Sequence, residues 1–240
     1  MSWKRACYLT LLVNVHLIAA GCSPESPPVI RNDDNGVVIP SPAQEPRQDG
    51  LLVLAFGDSL YAGYGVASHE SFPAQLEKAL RLDGLDATVR NAGVSGETSA
   101  AGLQRLAFTL DGLSRTPNLA LVGLGGNDML RGLDPAATSA NLLAICTELR
   151  RRDIDVILTG MLAAPNLGRD YSGRFNRIFT EVASRCGATL YPFFLDGVSA
   201  QPQLMLADRI HPNSAGIGRI VGRIEPTVAL QLRARRRPSG

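Results

Sequence analysis

Histidine is scarce in this chain of 240 residues: there are three, His16, His69 and His211. Chemistry that needs an imidazole near neutral pH must use one of them. Cysteine is almost as scarce. The four cysteines show no C-x₂-C spacing, which argues against a structural zinc site. A large excess of charge of either sign is missing as well. The formal net charge is +2, and basic residues are not interleaved with aromatics, so nucleic acid is not expected as a partner. No Walker signature is present, and Gly123-Leu124-Gly125-Gly126 lacks the spacing of a dinucleotide fingerprint. There is no internal repeat. What is present is an ordinary globular composition, 45% hydrophobic and 19% charged, in a length that suits one domain with appendages.

The N-terminus reads as an export signal. Lys4 and Arg5 precede an apolar run from Tyr8 to Ala20. That run is shorter than the roughly 20 residues a spanning helix needs, and it suits the core of a signal peptide. It ends in Ile18-Ala19-Ala20-Gly21-Cys22, which resembles the lipobox of bacterial lipoproteins, with Ala19 where leucine is usual. The resemblance implies loss of residues 1–21 and lipidation of Cys22, with Ser23 favouring the outer membrane. Several acyl chains would hold the protein firmly, each buried CH₂ contributing about 0.8 kcal/mol. A soluble periplasmic or secreted protein cleaved nearby is the alternative. Residues 22–50 hold Pro24, Pro27, Pro28, Pro40, Pro42 and Pro46 and read as a tether with too little apolar surface to fold.

Beyond the tether, near-continuous apolar strands alternate with helical patterns. Strands are expected at Leu51–Phe56, Ala87–Asn91, Leu119–Gly123, Asp155–Met161 and Ala188–Pro192. Helices are expected at Phe72–Leu82, Ser99–Ser114, Ala136–Arg152, Ser172–Cys186 and Ser214–Leu232. Ser71 reads as a cap before Pro73, and Pro226 should kink or split the last helix. This alternation predicts a three-layer α/β domain over residues 51–232, with a five-stranded, mostly parallel sheet. Residues 233–240 carry Arg233, Arg235, Arg236 and Arg237 and read as a solvated tail, with contact to anionic headgroups as a weaker alternative. Cys146 and Cys186 both fall in expected helices. An exported chain could bridge them, or they could be two buried thiols; nothing in the sequence brings those helices together.

Gly57-Asp58-Ser59-Leu60 follows the first strand directly, where an α/β enzyme exposes a nucleophile. A serine needs a base, an orienting group and donors for an oxyanion. His16 leaves with the signal, and His69 has only Glu70 beside it. His211 lies in Asp208-Arg209-Ile210-His211-Pro212, where the proline favours an extended loop and the aspartate can turn back to the ring. Elimination therefore selects His211. Two further segments, Asn91 to Thr98 and Leu124-Gly125-Gly126-Asn127-Asp128, are strand-to-helix turns able to present N–H groups to an anion.

Together these blocks closely resemble the SGNH, or GDSL, hydrolase family, in particular its thioesterase I, lysophospholipase and arylesterase branch. The resemblance runs from Leu51 to about Leu232. It implies a flavodoxin-like α/β/α sandwich that cleaves carboxylic esters or thioesters through an acyl-enzyme without a cofactor or metal. Ser59 falls on the nucleophile, Asp208 and His211 on its partners, and Ser59, Gly96 and Asn127 on the oxyanion donors. It also implies that Met129 to Leu133 moves over an acyl chain, with Leu130, Leu133, Leu162 and Leu167 as an apolar wall. A carbohydrate O-acetyl esterase and a non-catalytic acyl-binding envelope lipoprotein remain as other readings.

Overall fold

Alternate residues of each strand enter two different cores, and that alternation builds the layers. The computed structural model describes residues 50–236. The segment read as an export signal, Cys22, nearly all of the proline-rich segment and residues 237–240 lie outside the described residues. Strands β1 (Leu51–Gly57), β2 (Ala87–Gly93), β3 (Leu119–Gly123), β4 (Asp155–Thr159) and β5 (Thr189–Tyr191) form one sheet in the order β2-β1-β3-β4-β5. Every strand pairing in that sheet is parallel.

Seven α-helices accompany the sheet among the described residues: α1 (Ser59–Ala62), α2 (Phe72–Leu82), α3 (Ser99–Asp111), α4 (Gly126–Leu130), α5 (Pro135–Arg151), α6 (Arg169–Cys186) and α7 (Ser214–Arg236). On one face, Val53, Ala55, Leu119, Leu121 and Ile157 pack against Leu76 and Leu80 of α2 and Ile220, Ile224 and Val228 of α7. On the other, Leu54, Phe56, Val122 and Leu158 pack against Leu106 of α3, Leu142 and Ile145 of α5 and Phe175 and Phe179 of α6. Each fully buried side chain of this kind contributes about 1.5–3 kcal/mol. Right-handed crossovers explain the partition. The chain steps one way from β1 to β2 and the other way from β2 onward, so α2 covers one face and α3, α5 and α6 cover the other. The reversal leaves a crevice outside the carboxyl ends of β1 and β3.

That crossover pattern also sets α5 beside α6, where Cys146 and Cys186 form a disulfide. Of the two readings open from sequence, the bridge is the one present. It crosslinks residues 40 positions apart; in chain-entropy terms such a link contributes about 2–4 kcal/mol.

Three sequence expectations change. The last helix neither splits nor stops at Leu232 but runs through Pro226 to Arg236. Ile224 and Val228 flank the proline and are both 0% exposed. Both pack into the core on either side of it, and the helix continues although the proline forfeits one backbone hydrogen bond. The extension takes Arg233 and Arg235 out of the expected tail. They pair with Asp83 and Asp153, each at 2.5 Å, as exposed bridges that contribute little. Ser71 precedes α2 but does not cap it through its side chain; its hydroxyl donates to the Ser68 carbonyl at 2.8 Å.

Glycines at the strand ends make room for the segment after β1. Gly57 and Gly123 are paired in register, and a β-carbon on Gly123 would stand 2.2 Å from the Tyr61 ring. One on Gly93 would stand 2.2 Å from the Ala62 backbone nitrogen. Tyr61 is thereby buried against the sheet, its hydroxyl 2.9 Å from Thr159 Oγ1, and α1 is seated on the carboxyl ends of the strands.

Candidate active site

Ser59 is the first residue of α1, directly past β1. Asp58 caps that turn, its carboxylate accepting the Leu60 N–H at 3.0 Å. The Ser59 hydroxyl faces the loop between Leu206 and Asn213. Leu206 N–H donates to the His211 carbonyl at 2.8 Å and closes that loop into a tight bend. Inside the bend, Asp208 Oδ1 accepts the backbone N–H groups of Ile210 and His211 at 2.9 and 3.0 Å. Asp208 Oδ2 lies 2.7 Å from His211 Nδ1. A carboxylate can only accept, so the proton sits on Nδ1 and leaves Nε2 free to accept from Ser59 Oγ, 2.8 Å away.

Desolvation alone would raise the Asp208 carboxyl. The N–H groups of His211, backbone and ring, and of Ile210 outweigh it and hold the group at about 2. Asp208 is therefore ionised throughout the neutral range. Tyr64 covers the imidazole, ring centroids 4.4 Å apart.

Two more strand ends complete the arrangement. Gly96 follows β2 at φ +79°, a conformation glycine adopts freely. Arg131 Nη2 ties it down by donating to its carbonyl at 2.7 Å. Asn127 follows β3 in the first turn of α4 and donates one Nδ2–H to Asp58 Oδ2 at 3.3 Å. Its second amide hydrogen is left for the site. Among the described residues, the backbone N–H groups of Ser59 and Gly96 have no protein acceptor. Ser59, Gly96, Asn127 and His211 all line one cavity of about 660 Å³.

The four leucines expected on its wall divide. Leu130 and Leu162 line the cavity; Leu133 and Leu167 do not. Leu133 follows the bend in which its N–H donates to the Asp128 carbonyl at 2.9 Å, and it is exposed outside the cavity. Leu167 packs against the core beneath α5 and α6. Met129, Met161, Phe193 and Met205 supply apolar wall that the sequence did not single out. His69 is exposed in the 3₁₀ turn Ser68–Glu70 and does not line the cavity.

Sequence reasoning also passed over three supporting groups. Asp128, 2% exposed, accepts from Ser99 N at 2.8 Å, Ser99 Oγ at 2.5 Å and Thr138 Oγ1 at 3.1 Å. It thus fastens the Asn127 turn to the start of α3 and to α5. Arg105 binds Glu97 and donates to the Ala92 carbonyl at 2.9 Å, with its guanidinium 4.1 Å above the Phe56 ring. It ties the ends of β1 and β2 to the turn that carries Gly96. The third is Asp58. Its only sequence signal is adjacency to Ser59, and Asp128 likewise is signalled only by adjacency to Asn127.

Asp58 is buried, and desolvation pushes its carboxyl up to about 6 against the opposing Leu60 N–H, the His211 charge and the Asn127 amide. A group raised above its unfolded value stabilises the fold below the unfolded value, and that contribution is lost as pH rises through about 6. Asp58→Asn is therefore expected to raise Tm at pH 8 relative to the parent and to have little effect at pH 4. Melting curves at the two pH values check this; an equal shift at both would assign the effect to packing.

Residues 55–217 match the GDSL-like lipase/acylhydrolase family. The chain belongs to that family. Its relatives include esterase TesA of Pseudomonas aeruginosa, 39% identical over 185 residues, covering 77% of this chain and 90% of the relative. An arylesterase of Vibrio mimicus is 38% identical over 71% of this chain and 83% of its own length. Among solved structures, AlinE4, an SGNH-hydrolase family esterase, shares 48% identity over 78% of this chain and 98% of its own, with a TM-score of 0.66. The TesA crystal structure gives 38% identity and a TM-score of 0.71 over 75% of this chain and 99% of that one. This GDSL hydrolase is thus a carboxylic ester hydrolase on an α/β SGNH fold.

Proposed function

We propose that Ser59 is the nucleophile of an acyl-enzyme mechanism acting on carboxylic esters and thioesters with an apolar acyl chain. The Ser59–His211–Asp208 chain of hydrogen bonds carries the reading, because it assembles a nucleophile, a base and an orienting carboxylate at one strand end. Ser59 Oγ attacks the carbonyl carbon as its proton passes to His211 Nε2. The backbone N–H groups of Ser59 and Gly96 and the Asn127 amide hold the oxyanion. Collapse expels the alcohol or thiol, which takes the proton from His211. Water, activated by the same imidazole, then releases the acid.

A largely apolar cavity beside Ser59 supports acyl groups longer than acetyl. Hydrolysis of p-nitrophenyl esters from acetyl to long-chain acyl, by the full chain, tests this. Activity peaking at medium chains is the expected result. An acetyl-only profile would point to a carbohydrate O-acetyl esterase, and no turnover by folded protein would leave an acyl-binding envelope lipoprotein. Asn127→Ala is expected to lower kcat about 10²–10³-fold with a smaller change in KM; an unchanged kcat with raised KM would move Asn127 to ground-state binding.

The sequence around Cys22 supports a second part of the proposal: a lipid anchor that places the domain at the periplasmic face of the outer membrane. Intact-mass analysis of the membrane fraction, with Cys22→Ala as control, tests it. An acylated mass that disappears in the variant is expected; the same unacylated mass in both would remove the anchor.

A further inference from the structure

Arg209 stands in the catalytic loop between Asp208 and His211 with φ +56°. Two non-glycine residues among those described have positive φ, and the other is Asp153 at +61°. An aspartate in a turn tolerates that geometry; an arginine, with its β-carbon against the following carbonyl, does so at a cost glycine would not incur. The bend itself is required, since it delivers the N–H groups of Ile210 and His211 to Asp208. The arginine side chain is not required for the bend. A strained backbone beside a reacting centre points to a role for the side chain that sits on it.

Its location indicates what that role is. Arg209 lines the same cavity as Ser59 and His211. Apart from the imidazole, it is the one basic side chain on that wall among the described residues, and most of the rest of the wall is apolar. It is exposed. The nearby Asp208 carboxylate is already taken up by three N–H groups from Ile210 and His211. The side of the site also follows from the chemistry: the group that receives the proton from His211 Nε2 is the departing alcohol or thiol, so the His211 loop faces the leaving group. A guanidinium there matches phosphate or carboxylate by paired N–H donation.

We propose that Arg209 selects esters whose leaving group carries an anion, a phosphate or carboxylate a few atoms beyond the scissile oxygen. This rests on the reading of Ser59 and His211 as nucleophile and base. The anion could belong to a lipid headgroup or to a small soluble ester, and both present the same chemistry to the guanidinium.

The test compares kcat/KM within two ester pairs that share an acyl chain. One is a monoacylglycerol against its glycerophosphate counterpart. The other is a phenyl ester against its meta-carboxyphenyl counterpart, which is soluble. In the full-length protein the anionic member is expected to be preferred about tenfold, less so in high salt. Arg209→Gln should bring the ratio to about one, Arg209→Lys should restore part of it, and Arg209→Glu should invert it. Arg209→Gly should abolish the preference while raising Tm by about 2–4 °C, which separates the charge from the bend. Preference in the glycerophosphate pair alone would assign the anion to a lipid headgroup; preference in both pairs would assign it to any anionic leaving group. A ratio unmoved by Arg209→Gln overturns the inference while leaving the hydrolase mechanism intact. Absence of turnover on every ester would overturn the mechanism and the inference together.

Discussion

Replacing Ser59 by alanine is expected to lower kcat by about 10⁴–10⁶-fold with little change in thermal stability. The hydroxyl is the only atom removed, and its one side-chain partner is His211 Nε2 at 2.8 Å. Oxyanion donors and cavity remain, so KM should move far less than kcat. The fold has little to lose. Ser59 is half-buried at the first position of α1, where alanine suits the helix, and His211 keeps its bond to Asp208. Steady-state kinetics on a p-nitrophenyl ester, with a melting curve of each protein, measures both quantities. A variant that retains activity within tenfold of the parent would remove Ser59 as the nucleophile.

Asp208→Asn should cost about 10³–10⁴-fold in kcat although it changes almost no volume. The carboxylate can only accept, which keeps the proton on His211 Nδ1. An amide at that position can donate to Nδ1, and the proton then moves to Nε2. There it faces Ser59 Oγ, and the imidazole can no longer take the serine proton. The same change has a stability signature. The Asp208 carboxyl is held at about 2, below its unfolded value, so its contribution is present above the unfolded value and is lost as pH falls through about 2. The variant should therefore melt lower than the parent at pH 7 and converge with it in strong acid. Near-normal kcat in Asp208→Asn would show that the tautomer is set by some other group.

Much of this was legible in the sequence because each block carries its own local signal. An apolar run followed by Gly57-Asp58-Ser59 marks a strand end, and Pro212 after His211 marks an extended loop. With three histidines in the chain, elimination was short. Alternating strands and helices imply a parallel sheet whatever its order. The features that were missed depend on contacts between distant segments. The Cys146–Cys186 bridge needs α5 beside α6, which follows from crossover handedness rather than from either helix. Pro226 is a helix breaker locally and is overruled by the packing of Ile224 and Val228. Leu130 and Leu133 look alike in sequence, yet Leu130, at the end of α4, lines the cavity and Leu133, past the bend that follows, does not. Asp128 has no sequence signal beyond its place next to Asn127, and Arg105 has none; the fold is what sets Ser99 and Glu97 against them.

The central claim, that one serine at the end of β1 becomes covalently acylated, is tested most directly by titrating the full chain with a p-nitrophenyl phosphonate and locating the adduct by peptide mass mapping. The expected result is one adduct per chain, on the peptide holding Ser59, with activity lost in proportion to labelling and no adduct in Ser59→Ala. An adduct on any other residue, or full activity in fully labelled protein, would contradict it.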